Sequence, residues 1–212
     1  MLSAIGKIID RRRRKRRSAR AIRLKYPEFG DLDAWCADYA AKNRSGSSTQ
    51  SLDIGCGTSP RNPFHADALF GIDIREDPGL NVKYADLAIE PIPYASNSFD
   101  YVTAFEFLEH VPRVLYAPAH RFPFIELMNE IHRVLKPGGV LLSHTPAYPY
   151  GEAFQDPTHV NIITENTFPK YFDDRSTWAR MYGFTGAFTV LAQGWRAPDL
   201  VTLLRKLPAQ AT

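Results

Sequence analysis

The stretch Leu52-Asp53-Ile54-Gly55-Cys56-Gly57-Thr58 constrains the fold of this chain more than any other. A short apolar run carrying an acidic residue, followed by glycines at alternate positions, reads as a buried parallel strand entering a tight turn. Leu69-Phe70-Gly71-Ile72-Asp73 reads as a second strand, and Asp73 falls 20 residues after Asp53. That is the spacing at which nucleotide-binding α/β sheets place the carboxylate that accepts bonds from a ribose. The third glycine of a dinucleotide loop is missing, since Ser59 and Pro60 stand there, and no Lys follows as in a phosphate-gripping loop. What remains suits a ligand with a ribose and no pyrophosphate.

The rest of the chain reads as one α/β pattern behind a basic tail. In the tail, Leu2, Ile5, Ile8 and Ile9 stand at helical spacing directly before the basic run 11–17. From Asp31 to Asn43 apolar residues recur every three or four positions behind a capping Asp31, which predicts an amphipathic helix on the sheet or over a cleft. The polar linker 44–49 leads to the first strand at Gln50, and Pro60 and Pro63 leave room only for a turn or short irregular helix before the second. Further strands are expected over Val82–Ala85, Asp100–Phe105 and Val140–Thr145, with a helix from Phe124 to Leu135 stopped by Pro137-Gly138-Gly139. Pro112–Pro123 reads as an insertion over the mouth of a site, and Tyr148–His159 as a substrate-facing loop. A helix within Thr164–Tyr182 and strands over Phe184–Ala192 and Leu200–Leu204 close the chain. The expected division is a basic tail, 1–30, and a single domain, 31–212.

Charge separates the two parts sharply. Residues 7–25 hold 11 of the 26 Lys and Arg, and Asp10 is the only acidic residue before position 26. The remainder carries 15 basic against 22 acidic residues, a formal charge of −7. Three partners suit such a tail: an anionic membrane, where each basic residue contributes about 1 kcal/mol, a nucleic acid backbone, or only solvent. No apolar run approaches the ~20 residues that span a bilayer, so a soluble or surface-attached protein is expected. Two distant cysteines, Cys36 and Cys56, point to a reducing compartment. The expected location is cytoplasmic, with peripheral contact at the inner membrane surface through the tail.

Leu52–Thr58, Asp73, Ala85-Asp86-Leu87, Ser98–Val111 and Arg133–Gly139 stand in the order found in class I S-adenosylmethionine-dependent methyltransferases, which the chain resembles over residues 50–146. The block Ser98–Val111 is most similar to the ubiquinone-biosynthesis O-methyltransferase group. The compressed region after the glycines and the block Ala85–Asp100 resemble methyltransferases encoded with surface-polysaccharide enzymes. The resemblance implies a doubly wound, Rossmann-like, mostly parallel seven-stranded sheet with an antiparallel last strand, and S-adenosyl-L-methionine as cofactor. Its implied cofactor-binding set is Asp53, Gly55, Cys56, Gly57, Asp73, Ile74, Asp86, Leu87, Phe105 and Glu106. Within that set Asp73 would accept the ribose hydroxyls, Asp86 hold the adenine amino group with Leu87 on its face, and Phe105 and Glu106 border the reacting methyl.

An acceptor hydroxyl must also lose its proton, and histidine titrates nearest neutral pH. His159 is the first candidate base, because Asp156 stands close enough in sequence to orient it; His110 follows, and His144 is the third. The histidines show no ligand spacing, so no metal site is expected. O-methylation of a glycan, glycolipid or small metabolite is the leading reading. An RNA methyltransferase gripping phosphate with its tail is the alternative in the same class, and the acidic body speaks against it. A non-catalytic binding subunit that keeps the cofactor fold is the third.

Overall fold

The computed structural model describes residues 26–44 and 46–208; the tail helix and basic run expected within 1–25 lie outside the described residues. Helix α1 (Leu32–Asn43) starts as its sequence predicts, with Asp31 Oδ1 accepting a hydrogen bond from the Ala34 amide at 3.0 Å. The main sheet contains β1 (Gln50–Ile54), β2 (Ala68–Asp73), β3 (Val82–Tyr84), β4 (Phe99–Phe105), β5 (Leu135–Tyr148), β7 (Phe188–Arg196) and β8 (Asp199–Lys206). Their order is β3-β2-β1-β4-β5-β8-β7, and the short β6 (Ile163–Thr164) pairs with the end of β5. All pairs from β3 to β5 are parallel, while β8 runs antiparallel to both of its neighbours. The expected seven-strand path is therefore present, with β6 as an addition.

Parallel neighbours need crossovers, and the two crossovers that flank β1 and β4 are built differently. Between β4 and β5 runs helix α2 (Pro123–Val134), which begins on a proline suited to a first helical turn and buries Phe124, Leu127, Met128, Ile131 and Val134 on one face of the sheet. Between β1 and β2 there is no helix. Its place on the opposite face is taken by Phe64, 1 % exposed, whose ring stacks on Tyr101 of β4 at 4.2 Å, with Leu32 and Cys36 of α1 completing the layer. Strand β4 alternates accordingly: Tyr101 faces this layer, and Val102 and Ala104 face the α2 layer.

Several boundaries differ from expectation. Helix α2 stops at Val134, and Leu135 already pairs with Phe99. Residues 136–139 are looped out before Val140 pairs with Tyr101, with Gly138 at φ +82°. Pro137-Gly138-Gly139 thus shapes a bulge inside a strand and does not end a helix. The first closing strand begins later than predicted and the second one residue earlier, at Asp199, and the expected helix before them is a short α3 (Thr167–Tyr171) plus a 3₁₀ turn, Trp178–Tyr182. The Phe29 amide donates to the Trp195 carbonyl at 2.7 Å, so the folded unit starts before residue 31.

Candidate functional site

The strand order reverses between β1 and β4, and ligands of such sheets bind beyond the carboxyl ends of the strands at that point. Gly55 and Gly57 follow β1 at φ +66° and +59°, backbone that side-chain-bearing residues rarely adopt. A Cβ on Gly55 would lie 2.2 Å from the Phe107 ring, which packs directly on this residue. Gly57 is different, because a Cβ there would meet nothing nearer than Arg75 Nη2 at 3.8 Å, and no side chain packs on it.

Asp73 ends β2 beside that residue. Its Oδ2 accepts from the Gly57 amide at 2.8 Å, and its Oδ1 from the Arg75 amide and Nε at 3.1 and 2.9 Å. Burial pushes its carboxyl up, but the hydrogen bonds from Arg75 and Gly57 outweigh this and hold it below the usual range. An ionised carboxylate offers about four acceptor positions, so Asp73 keeps capacity for a further donor. Ile74 beside it is exposed. At the end of β3, Asp86 Oδ1 accepts from the Ala88 amide at 3.0 Å, while Leu87 is packed in the core.

Asp53 does not reach the cleft. Its carboxylate is 1 % exposed and accepts from Thr103 Oγ1 at 2.6 Å and the Arg61 amide at 2.8 Å, with burial pushing it up to about 6. It ties the helix-free crossover to β4, and thereby fixes the turn that Gly57 opens. Cys56 lies in the same turn, its thiol pushed up to about 11 by burial, which leaves it protonated and unreactive at neutral pH.

At the end of β4, Glu106 sits at φ +49° with its amide bonded to the His144 carbonyl at 2.9 Å. Its Oε1 lies 2.9 Å from His144 Nδ1, and His144 Nε2 is 4.0 Å from Asp199 Oδ2. His144 and Asp199 open into a cavity of about 1090 Å³, together with Arg61, Phe105, Asp33 of α1 and Trp195. The Arg61 guanidinium stands over the Phe105 ring at 4.6 Å, and burial pushes Asp199 up to about 6. This cavity carries acids, bases and arginines on a partly aromatic wall, a lining suited to a polar acceptor.

Three residues further on, a second group gathers. Glu109 is 1 % exposed; its Oε2 accepts from Thr145 Oγ1 at 2.6 Å, and its Oε1 is buried without a partner. Burial pushes this carboxyl up to about 7. The His110 and His159 rings meet edge to face at 4.9 Å, and His159 Nδ1 is also buried without a partner. Asp156 does not orient His159, as its sequence position predicts; its Oδ1 accepts from the Thr158 amide and Oγ1 at 2.7 and 2.6 Å. The Thr158 hydroxyl has thereby spent its proton, so its 2.9 Å contact to His110 Nδ1 makes that nitrogen the donor. Asn161 fixes the loop, donating from Nδ2 to the Leu108 carbonyl at 2.9 Å and accepting from Arg113 Nε at 2.7 Å.

The ligand atoms of Glu109, His110 and His159 lie within 4.8 Å of one another, as do those of Glu106, His144 and Asp199. Histidines without ligand spacing in the sequence are thus brought within reach of carboxylates, because the loop after β5 folds His159 back onto the β4 end. Sequence reasoning also missed Asp199 and Asn161. Asp199 opens the strand antiparallel to β5 and meets His144 only through that pairing. The only available signal for the Glu109 centre was the adjacent pair Glu109-His110.

The residues present fit an adenosine-bearing sulfonium in one respect that the structure itself supplies: at the switch point no side chain packs on Gly57, whose amide donates to an ionised Asp73 with an acceptor position left over. A family model described as a methyltransferase domain matches residues 26–186. The demethylmenaquinone methyltransferase of Geobacillus stearothermophilus is 29% identical over 124 residues, 50% of this chain and 49% of that protein. That of Listeria welshimeri is 33% identical over 112 residues, 44% and 43% of the two chains. The chain thus spans about half the length of the curated relatives it matches. Among solved structures, the 1,6-didemethyltoxoflavin-N1-methyltransferase of Burkholderia thailandensis, with bound 1,6-didemethyltoxoflavin and S-adenosylhomocysteine, is similar at TM-score 0.52 and 15% identity, over 84% of this chain and 77% of that one. A [4+2]-cyclase is similar at TM-score 0.50 and 19% identity, over 82% and 80%. Both likenesses concern the fold, and their different chemistries show that the fold alone does not fix the reaction.

Proposed function

The chain belongs to the methyltransferase-domain family, and from that premise we propose that it transfers a methyl group from S-adenosylmethionine to an oxygen of a glycan, glycolipid or other small acceptor. The observation that carries this reading is the turn at the switch point, where Gly57, with no side chain packed on it, donates its amide to the Asp73 carboxylate. Asp73 would hold a ribose hydroxyl, with Ile74 and Asp86 toward the base and Glu106 and Phe105 toward the methyl. When bound, the sulfonium supplies the methyl group and leaves as a neutral thioether.

The chain's own contribution is placement and proton handling. The acceptor would lie in the cavity of about 1090 Å³ and give its hydroxyl proton to His144 Nε2. Glu106, on the other ring nitrogen, would offset the charge that His144 gains. This moves the proton role away from His159 and His110, the pair its sequence favours, because Glu109 Oε1 and His159 Nδ1 in their centre are buried without partners. A second reading of that centre follows: Glu109, His110 and His159 would hold a divalent cation. It is favoured by the buried, unpartnered Glu109 Oε1 and His159 Nδ1, atoms that a cation would satisfy.

Transfer of label from methyl-labelled S-adenosylmethionine to an acceptor in cell extract is the expected result. Cofactor binding in a calorimeter without any transfer would favour a non-catalytic subunit, and labelled RNA would favour the nucleic acid reading. The chain is expected to work in the cytoplasm with residues 1–25 resting on an anionic membrane. Equal flotation with vesicles at low salt by the full chain and by a form lacking residues 1–25 would contradict the tail's part.

A further inference from the structure

A groove of about 570 Å³ that shares no lining residue with the larger cavity runs past the start of α2. Its walls include Val114, Phe122, Phe124, Tyr171, Trp178 and Tyr182. The rings continue outward as a chain: Tyr116 to His120 at 5.3 Å, His120 to Phe122 at 4.8 Å, and Phe122 to Tyr182 at 5.4 Å. At its rim Tyr116, Met181, Trp178 and Tyr182 are 81, 74, 48 and 42 % exposed. Single exposed apolar residues are ordinary, but a connected band of them around an apolar groove marks an interaction surface.

Charge narrows the partner. Arg113 and Lys170 line the groove, the Lys170 ammonium stands 5.6 Å from the Trp178 ring, and Arg180 is exposed between Trp178 and Met181. Of the acids that adjoin groove residues, Glu126 is paired with Arg121, Asp173 with Arg175, and Glu165 is buried, so within the about 8–10 Å that screening allows Lys170 and Arg180 stand against the exposed Asp174. A second copy of the chain, meeting this face through a twofold axis, would set these same cations against each other. Aromatic rings with interleaved Lys and Arg suit instead the boundary between headgroups and hydrocarbon.

We propose that this rim docks the folded body on an anionic lipid bilayer, with Tyr116, Trp178, Met181 and Tyr182 entering the headgroup layer and Lys170 and Arg180 meeting lipid phosphates. The contact is separate from the basic tail and independent of methyl transfer.

The test is flotation of the full chain with phosphatidylcholine vesicles containing about a quarter phosphatidylglycerol, at about 0.5 M NaCl, where screening to a few Å suppresses the tail's attraction and leaves apolar insertion in place. The chain should still float, and brominated lipids should quench its tryptophan fluorescence. Trp178→Ser with Met181→Ser should lower the bound fraction about tenfold and remove the quenching. Tyr116→Ser, on a different segment of the rim, should lower binding severalfold and guards against a folding defect at 178–182. Binding of S-adenosylhomocysteine by these variants should be unchanged, so failure here leaves the methyltransferase reading intact. Loss of vesicle binding by the unmodified chain at this salt, or equal flotation of all variants, overturns the proposal. So does a variant that dissociates a dimer while floating normally, which would make the rim an interface between copies.

Discussion

Glu106 and Glu109 stand three residues apart, and each serves a centre of histidine and carboxylate, yet the two centres have opposite needs. Glu106, on left-handed backbone and half-exposed, closes a contact with His144 beside a large cavity. Glu109, in the 3₁₀ turn that follows, is sealed in and keeps one oxygen with no donor. A residue whose polar atoms are matched can exchange a proton with a visitor; one whose buried atoms are unmatched asks for a permanent occupant. The difference is what favours the proposed proton transfer at the first centre and the proposed cation at the second.

The largest expected effect breaks the comparison directly. His144→Gln should lower turnover on the labelled acceptor by about 100-fold or more with cofactor affinity unchanged, the usual loss for a general base. His159→Gln should instead weaken binding of Mn²⁺, followed by its paramagnetic signal, at least about tenfold. Interchanged outcomes would reverse the assignment.

Next comes a pH effect. Glu109 has a folded pKa of about 7 against an ordinary value of 4.5. Its neutral form is favoured in the fold, so its contribution is full below about pH 4.5 and is lost as pH rises through about 7, by roughly 3 kcal/mol. Asp53 and Asp199, both pushed up to about 6, add loss in the same direction at lower pH. Chemical denaturation of Glu109→Gln should therefore show a flatter decline of stability from pH 5 to 8 than the unmodified chain. An added divalent cation should flatten the unmodified chain's decline too, since it stabilises the charged form. An unchanged slope in the variant would place the titration elsewhere.

The smallest effect concerns backbone. Glu106→Gly should release left-handed strain of about 1 kcal/mol, raising Tm by about 2–4 °C, while lowering turnover because His144 loses its partner. A lower Tm would show that the contact with His144 outweighs the strain.

Much of the scaffold was legible because it is written in local signals. The two carboxylate-ended strands, the Asp31 cap and the apolar spacing of α2 each depend on residues near one another in sequence. Pro60 and Pro63 correctly announced that β1 and β2 are joined without a helix, but not that Phe64 would fill the vacancy by stacking on Tyr101, a contact made across the sheet. Pro137-Gly138-Gly139 misled because the same residues that stop helices also shape bulges, and the pairing of Leu135 with Phe99 decided between them. Asp53 showed the same limit: its spacing from Asp73 was readable, its burial against Thr103 was not. Both histidine centres rest on long-range pairing, of His144 with the β7–β8 hairpin and of His159 with the β4 end, and a linear pattern carries no trace of either.

Calorimetric titration of the full chain and of Asp73→Ala with S-adenosylhomocysteine measures whether the carboxylate at the switch point holds the cofactor. The account predicts one site in the unmodified chain, weakened about 10- to 100-fold when the carboxylate beneath Gly57 is removed, the cost of losing charged hydrogen bonds to a ribose. No binding by the unmodified chain, or equal affinity in the variant, would contradict it.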